Sequence, residues 1–205
     1  MATTKILIEG YAKQLNKGWK ASSTTCLITT ENKKIITDPG CNRKALLDAL
    51  NNENLSTDDI DYVFLSHRHP DHILLAGIFK KAKYVTFDAN LMYDEDVLLE
   101  FGKHTLGKDI EIIDTPGHVP EHLSLIVDTS EGKVAIAGDV VWWLDSEEQI
   151  FDVNQKDHNQ AIDMGMKTLV ESRKKLLKIA DYIIPGHGKM FKVDKKIQGA
   201  RGTLN

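Results

Sequence analysis

Cysteine is scarce in this chain: Cys26 and Cys41 are its only two in 205 residues. Two thiols exclude a secreted disulfide framework and a zinc site built from cysteine. Long apolar runs are missing as well. No stretch approaches the roughly 20 residues that a membrane-spanning helix needs. Residues 1–10 lack the basic start and apolar run of a secretory signal. A soluble, cytosolic protein with no membrane partner is therefore the expectation. An excess of positive charge is absent too, since the formal net charge is −4. Nucleic-acid-binding domains are usually basic, so the overall balance does not advertise one, although a local patch leaves RNA open as a substrate. The clusters Lys80, Lys81, Lys83 and Arg173, Lys174, Lys175, Lys178 read as solvated faces. The 41% hydrophobic content excludes a disordered or fibrous chain. The length suits a single domain, residues 1–205, with a full core.

What is present alternates short β-like runs with helical ones. Lys5–Gly10, Thr24–Thr30 and Ile35–Thr37 read as strands, with Glu31-Asn32 as a turn and Asp38-Pro39-Gly40 as a break. Lys44–Asn52 reads as a helix, and Ser56-Thr57-Asp58 supplies capping residues for a short turn. Tyr62–Leu65, Lys83–Phe87 and Glu111–Asp114 are further strands. Leu123–Asp128 and Val134–Ala137 form a hairpin around Glu131-Gly132, and Tyr182–Ile184 is the final strand. Ile162, Met166, Leu169, Val170, Leu176, Leu177 and Ala180 share one face of a long helix. Residues 88–108 carry no decisive pattern. Two groups of strands, each with helices, bury their apolar faces as an α/β arrangement of two packed sheets with helices outside.

The strongest signal is Ser66-His67-Arg68-His69-Pro70-Asp71-His72, which follows an apolar strand. Alternate residues of an extended segment point the same way, so His67 and His69 reach one metal together. Pro70 breaks the extension and lets Asp71 and His72 swing toward a second. Gly117-His118, Gly138-Asp139 and Gly186-His187 each stand at a strand end beside a glycine, which lets the backbone turn or approach closely. Imidazole and carboxylate are ligands that zinc accepts. His104, His122 and His158 lack this setting and read as structural or surface residues, although His122 is near enough to His118 to face the same cleft.

His-x-His-x-Asp-His followed by Gly-His, Gly-Asp and Gly-His resembles the metallo-β-lactamase superfamily from Gly10 to about Val193. Ile8-Glu9-Gly10-Tyr11, Asp38-Pro39-Gly40, Ala137-Gly138-Asp139-Val140 and Pro185-Gly186-His187-Gly188 are similar to the group around metallo-β-lactamase domain-containing protein 1. The resemblance implies a four-layer αββα sandwich with two divalent metal ions at one edge, zinc first and iron or manganese as alternatives. It implies that His67, His69 and His118 hold one metal, that Asp71, His72 and His187 hold the other, and that Asp139 bridges them. No cysteine stands among these ligands, unlike the best-known class of zinc β-lactamases, so any β-lactamase activity is expected to be weak and promiscuous.

The implied chemistry is hydrolysis of an ester, lactone, thioester or phosphodiester, with Asp71 as the catalytic residue that orients the nucleophile and relays its proton. The narrower group is associated with ribonuclease activity. A glutathione thioester is disfavoured, because the 18 residues after His187 are too few for the extra helical region that substrate needs. A mononuclear iron oxidoreductase of the sulfur dioxygenase type is the alternative, since the same imidazoles and carboxylates suit iron. Asp38 reads equally as hydrogen-bond support for a ligand histidine and as a turn residue before Pro39. Trp142 and Trp143 read first as core or dimer contacts and second as an apolar wall for substrate. Trp19 and Tyr93 are candidate lid residues, and a homodimer is implied by resemblance alone.

Overall fold

Adjacent residues of the central strands turn to opposite faces, and here both faces are buried. The computed structural model describes residues 1–87, 91–159 and 165–194. In chain order it begins with strands β1 (Thr3–Ile8), β2 (Tyr11–Gln14), β3 (Trp19–Ser22), β4 (Thr25–Thr30) and β5 (Lys33–Thr37). Helix α1 (Arg43–Asn52), strand β6 (Tyr62–Phe64), the short helix α2 (Pro70–Ile73) and strands β7 (Lys83–Val85), β8 (Leu91–Asp94) and β9 (Val97–Glu100) follow. The second half holds β10 (Ile110–Asp114), β11 (Leu123–Thr129), β12 (Gly132–Trp142), helix α3 (Met166–Ile179), β13 (Tyr182–His187) and β14 (Phe191–Lys192).

The first sheet runs in the order β1-β4-β5-β6-β7-β8-β9 and the second β10-β11-β12-β13-β14, while β2 and β3 form a separate hairpin. Ile28, Ile35 and Phe64 of the first sheet meet Ile112, Leu125, Ile136 and Ile184 of the second in one shared core. Their neighbours Leu27, Ile36 and Val63 face the other way, onto Leu46 and Leu50 of α1. Ile113, Ile126, Ala135 and Ile183 likewise face Leu169, Leu176 and Leu177 of α3. Helix, sheet, sheet and helix thus stack as the αββα sandwich. Because each sheet is covered twice, its strands read as continuous apolar runs instead of a polar-apolar alternation. Among the described residues no helix is long and apolar enough to cross a membrane.

Most strands shift by one to three residues from the sequence reading, the β2–β3 hairpin was not read from sequence, and two strands run well past their expected ends. The strand placed at Val134–Ala137 continues through Gly138 and Asp139 to Trp142, and Tyr182–Ile184 extends to His187. The pairing of β12 with β13 is parallel and shifts register at Gly138, whose φ is +56°. Glycine accepts that left-handed conformation without a Cβ clash, so the strand bends there without ending. Residues 91–100 form the hairpin β8–β9, a region the sequence left unassigned. Ile162 and residues 88–90 lie outside the described residues.

Candidate metal centre

The first sheet sends β5 into Asp38 and β6 into Ser66–His72, and the second sends β10 into Thr115–His118. β13 ends at His187, while Asp139 stands within β12 beside it. These chain segments meet at one edge of the sandwich. Pro70 opens α2, as its ring permits at a first helical position. That turn carries Asp71 and His72 away from the direction of His67 and His69.

The seven residues fall into two groups. His67, His69, His118 and Asp139 bring one ligand atom each within 4.8 Å of one another, and Asp71, His72 and His187 do the same. His69 Nδ1 lies 2.9 Å from His67 Nε2 and 3.0 Å from His118 Nε2. Asp139 faces both groups. Its Oδ2 is 3.4 Å from His118 Nε2 and 3.8 Å from His67 Nε2. Its Oδ1 is 3.2 Å from His72 Nε2 and 3.6 Å from His187 Nε2. Asp71 Oδ2 completes the second group 3.3 Å from His187 Nε2. The close approach of Asp139 requires Gly186, because a Cβ there would overlap Asp139 Oδ1.

Each imidazole except His69 is held from behind. Ser66 Oγ donates to Asp38 Oδ2 at 2.6 Å and therefore accepts from His67 Nδ1 at 3.0 Å. His72 Nδ1 donates to the same Asp38 oxygen at 2.9 Å, and Asp38 Oδ1 accepts from Ser66 N at 2.8 Å. His118 Nδ1 donates to Asp157 Oδ2 at 2.5 Å, and His187 Nδ1 to the carbonyl of Ser22 at 3.1 Å. Fixing a proton on Nδ1 aims the Nε2 atom of all four into the cluster, as a lone pair wherever a cation takes the place of an Nε2 proton.

This arrangement fits divalent cations. Three imidazole nitrogens converge with their lone pairs toward one point, and lone pairs that close repel unless a positive charge stands between them. His72 Nε2 and Asp139 Oδ1 are buried with no hydrogen bond of good geometry, their nearest polar contact being each other at 3.2 Å, a state that a cation between them would relieve. The donor set is imidazole and carboxylate without thiolate, which suits zinc, iron and manganese.

The two groups differ in charge. Burial pushes His67 well below the usual imidazole range, reinforced by His72, and burial lowers His69 as well. Burial also works against a proton on His72, yet Asp139 and Asp38 on either side outweigh it and hold the ring well above its usual range. His187 behaves likewise: burial opposes its charge, but Asp139 and Asp71 raise it to about 9. Asp139 is kept well below the carboxylate range, because His72 and His187 overcome the cost of burying its charge.

Several residues were absent from the sequence reading or placed wrongly by it. Asp157 lies in a loop with no motif, and only the fold brings it to His118 and to Trp142 Nε1, 3.1 Å away. Arg173 is not on a solvated face. It is buried, with Nε donating to the carbonyl of Val140 at 2.8 Å and Nη1 to those of Val153 and Gln155 at 3.1 and 2.5 Å. The signal was available, for Arg173 shares the helical stripe of Leu169 and Leu176. The remaining cations of both clusters do keep solvent exposure, and Lys81 and Lys83 pair with Asp58 and Asp94.

The two tryptophans part ways. Trp142 packs edge-on against His118 and His187, whereas Trp143 lies in the core against Phe191. His122 is buried behind His67, ring stacked on ring at 5.1 Å, and its Nδ1 bonds Thr115 Oγ1. His104 bonds the carbonyl of Ile110 and His158 pairs with Glu147, both outside the cluster. Asp38 is a turn residue with φ of +38° and a histidine support at once. In front of the cluster opens a cavity of about 390 Å³ that His69, Asp71, Asp139 and His187 reach from below. Trp19 lines it and Tyr93 does not.

Residues 19–90 match the model of the metallo-beta-lactamase superfamily. The chain is 31% identical to metallo-beta-lactamase domain-containing protein 1 of Xenopus laevis, over 96% of its own length and 84% of that protein. To the Mus musculus protein of the same name it is 33% identical, over 93% and 74%. A putative metallo-beta-lactamase of Thermotoga maritima shares the fold with a TM-score of 0.67 at 21% identity, over 93% of this chain and 99% of that one. Sequence, fold and cluster agree that the chain belongs to the metallo-β-lactamase superfamily and is a metallohydrolase that takes divalent metal ions.

Proposed function

We propose that this metallohydrolase is dinuclear and uses zinc to cleave an ester, lactone, thioester or phosphodiester bond. His67, His69 and His118 would hold one cation, Asp71, His72 and His187 the other, and Asp139 both. The observation that carries the reading is Asp139, whose two oxygens each face a separate group of imidazoles. A pair of cations supplies a hydroxide nucleophile near neutral pH and neutralises charge that develops on the attacked group.

The chain's own residues supply position and proton transfer. The back-side hydrogen bonds to Asp38, Ser66, Asp157 and Ser22 hold four imidazoles in one tautomer. Asp71 lines the cavity, and the hydrogen bond from His187 keeps it ionised against the cost of burial. A carboxylate placed there can orient an attacking water and take its proton. Trp142 walls the cluster on the cavity side and excludes solvent from it.

The test is elemental analysis of the purified protein together with a hydrolysis panel of a phosphodiester, a lactone, a thioester, a β-lactam and single-stranded RNA. About two zinc ions per chain with turnover abolished by a chelator and restored by zinc is the expected result. One iron per chain with oxygen uptake on persulfides would replace the hydrolase by an oxidoreductase.

A further inference from the structure

The walls of the cavity are mostly apolar. Apart from the cluster residues, Cys41 and one amide, Asn159, it is lined by Ala12, Ala21, Trp19, Leu74, Pro70 and Trp142. Among the described lining residues there is no lysine or arginine.

The hairpin β2–β3 explains part of this. Ala12 pairs with Ala21 and Gln14 with Trp19, while Lys13 pairs with Lys20. Side chains alternate across a strand. The hairpin therefore turns its alanines and Trp19 to the cavity and both lysines to the opposite face. Lys20 lies 5.8 Å from the ring of Tyr11, so the two share that face, and neither lines the cavity. Arg68, the cation beside the histidine motif, is paired with Glu121 at 2.8 Å.

Trp19 is 48% and Leu74 67% exposed. Large apolar side chains left in water at the rim of a cleft, with an apolar interior behind them, mark a binding surface more than a folding requirement. Neither belongs to a core cluster. A volume of about 390 Å³ is that of a small-molecule site. A nucleic-acid track needs cations along it to neutralise successive phosphates, and the described walls offer none.

We infer that the substrate of this centre is a small uncharged acyl compound, an ester, lactone or thioester, whose apolar acyl chain lies against Trp19, Leu74 and Trp142. This rests on the hydrolase reading above and narrows it by removing the phosphodiester. Trp19 is the specificity-determining residue: it touches the acyl chain and stands clear of the cluster.

The experiment has two arms. In the first, zinc-loaded protein hydrolyses p-nitrophenyl acetate, butyrate and hexanoate and the phosphodiester thymidine 5′-p-nitrophenyl phosphate, for the wild type and for Trp19→Ala. Each methylene buried in the cleft is expected to raise kcat/KM about fourfold. Trp19→Ala should flatten the chain-length series, with the hexanoate-to-acetate ratio of kcat/KM falling about tenfold or more. In the second arm, metal-free protein is titrated with N-methylhexanamide and N-methylacetamide while the heat of binding is read. The longer amide should bind to the wild type and lose that binding in Trp19→Ala.

A flat chain-length series in the wild type, or faster cleavage of the phosphodiester than of the hexanoate, overturns the substrate class and leaves the hydrolase standing. Zinc-independent turnover throughout overturns the hydrolase reading, and the amide titration then decides the pocket by itself.

Discussion

Replacing Asp38 by Asn removes one charge and should disturb both metal groups at once. Asn tolerates a positive φ as Asp does, so the backbone at φ +38° is not a second cause. The buried Asp38 carboxylate accepts from Ser66 N, Ser66 Oγ and His72 Nδ1. An Asn amide can keep one oxygen on Ser66 N, but its NH2 group then faces the serine hydroxyl and the histidine. Ser66 Oγ must turn to accept, and its proton moves toward His67 Nδ1. His67 and His72 are both pressed into the tautomer that carries its proton on Nε2, where the lone pair is needed.

Loss of such a support weakens metal binding by about 10- to 100-fold, or about 1.4–2.7 kcal/mol for each cation. Two charge-assisted hydrogen bonds at about 1.5–3 kcal/mol each are lost in the metal-free chain. Removal of a buried charge offsets part of that, and a net destabilisation of about 3 kcal/mol is expected. Zinc affinity would be measured by competition with a chromophoric chelator, and metal-free stability by urea unfolding in EDTA. An Asp38→Asn protein that binds both cations within twofold of wild type would refute the tautomer argument.

The two groups should also respond differently to pH. In the metal-free chain His72 and His187 hold protons above the usual range, His187 up to about 9, whereas burial keeps His67 and His69 neutral. A cation in the second group must expel protons from both Nε2 atoms, so its affinity falls as pH drops below about 9, by up to about 100-fold per unit for two protons. His67 and His69 expel none over that range. Calorimetric zinc titrations at pH 6.5, 7.5 and 8.5 should resolve a steep and a shallower dependence, and equal slopes for the two cations would count against the charge assignment. Arg173→Met leaves the carbonyls of Val140, Val153 and Gln155 without their buried donor. A loss of at least about 3 kcal/mol is expected, with weaker zinc binding, because the same segment leads to Asp157 and His118. Arg173→Lys should not restore it, since one ammonium cannot span three carbonyls; unchanged melting temperatures in either variant would show that the contacts are idle.

Much of the centre was readable because its residues come as local motifs. His67 and His69 share a direction through strand alternation, and Pro70 ends it, and both facts reside in six consecutive residues. The layers were readable for a similar reason: continuous apolar runs such as Ile183-Ile184 require cover on both faces. The reading failed where partners are distant. Nothing near Asp157 marks it, for its role depends on a loop that Arg173 holds from α3. The strand β12 was cut short because Gly138 looks like a stop, while the tertiary pairing with β13 carries the chain through it.

The sequence by itself determined the chemistry, because the kinds of atoms that can bind a metal, and their spacing along a strand, are written in residue identity. The tertiary structure decided what surrounds those atoms. Which side of the β2–β3 hairpin faces the cluster, which tryptophan lines the cavity and which lysines turn away depend on how separate elements pack, and packing is a sum of contacts between residues far apart in the chain.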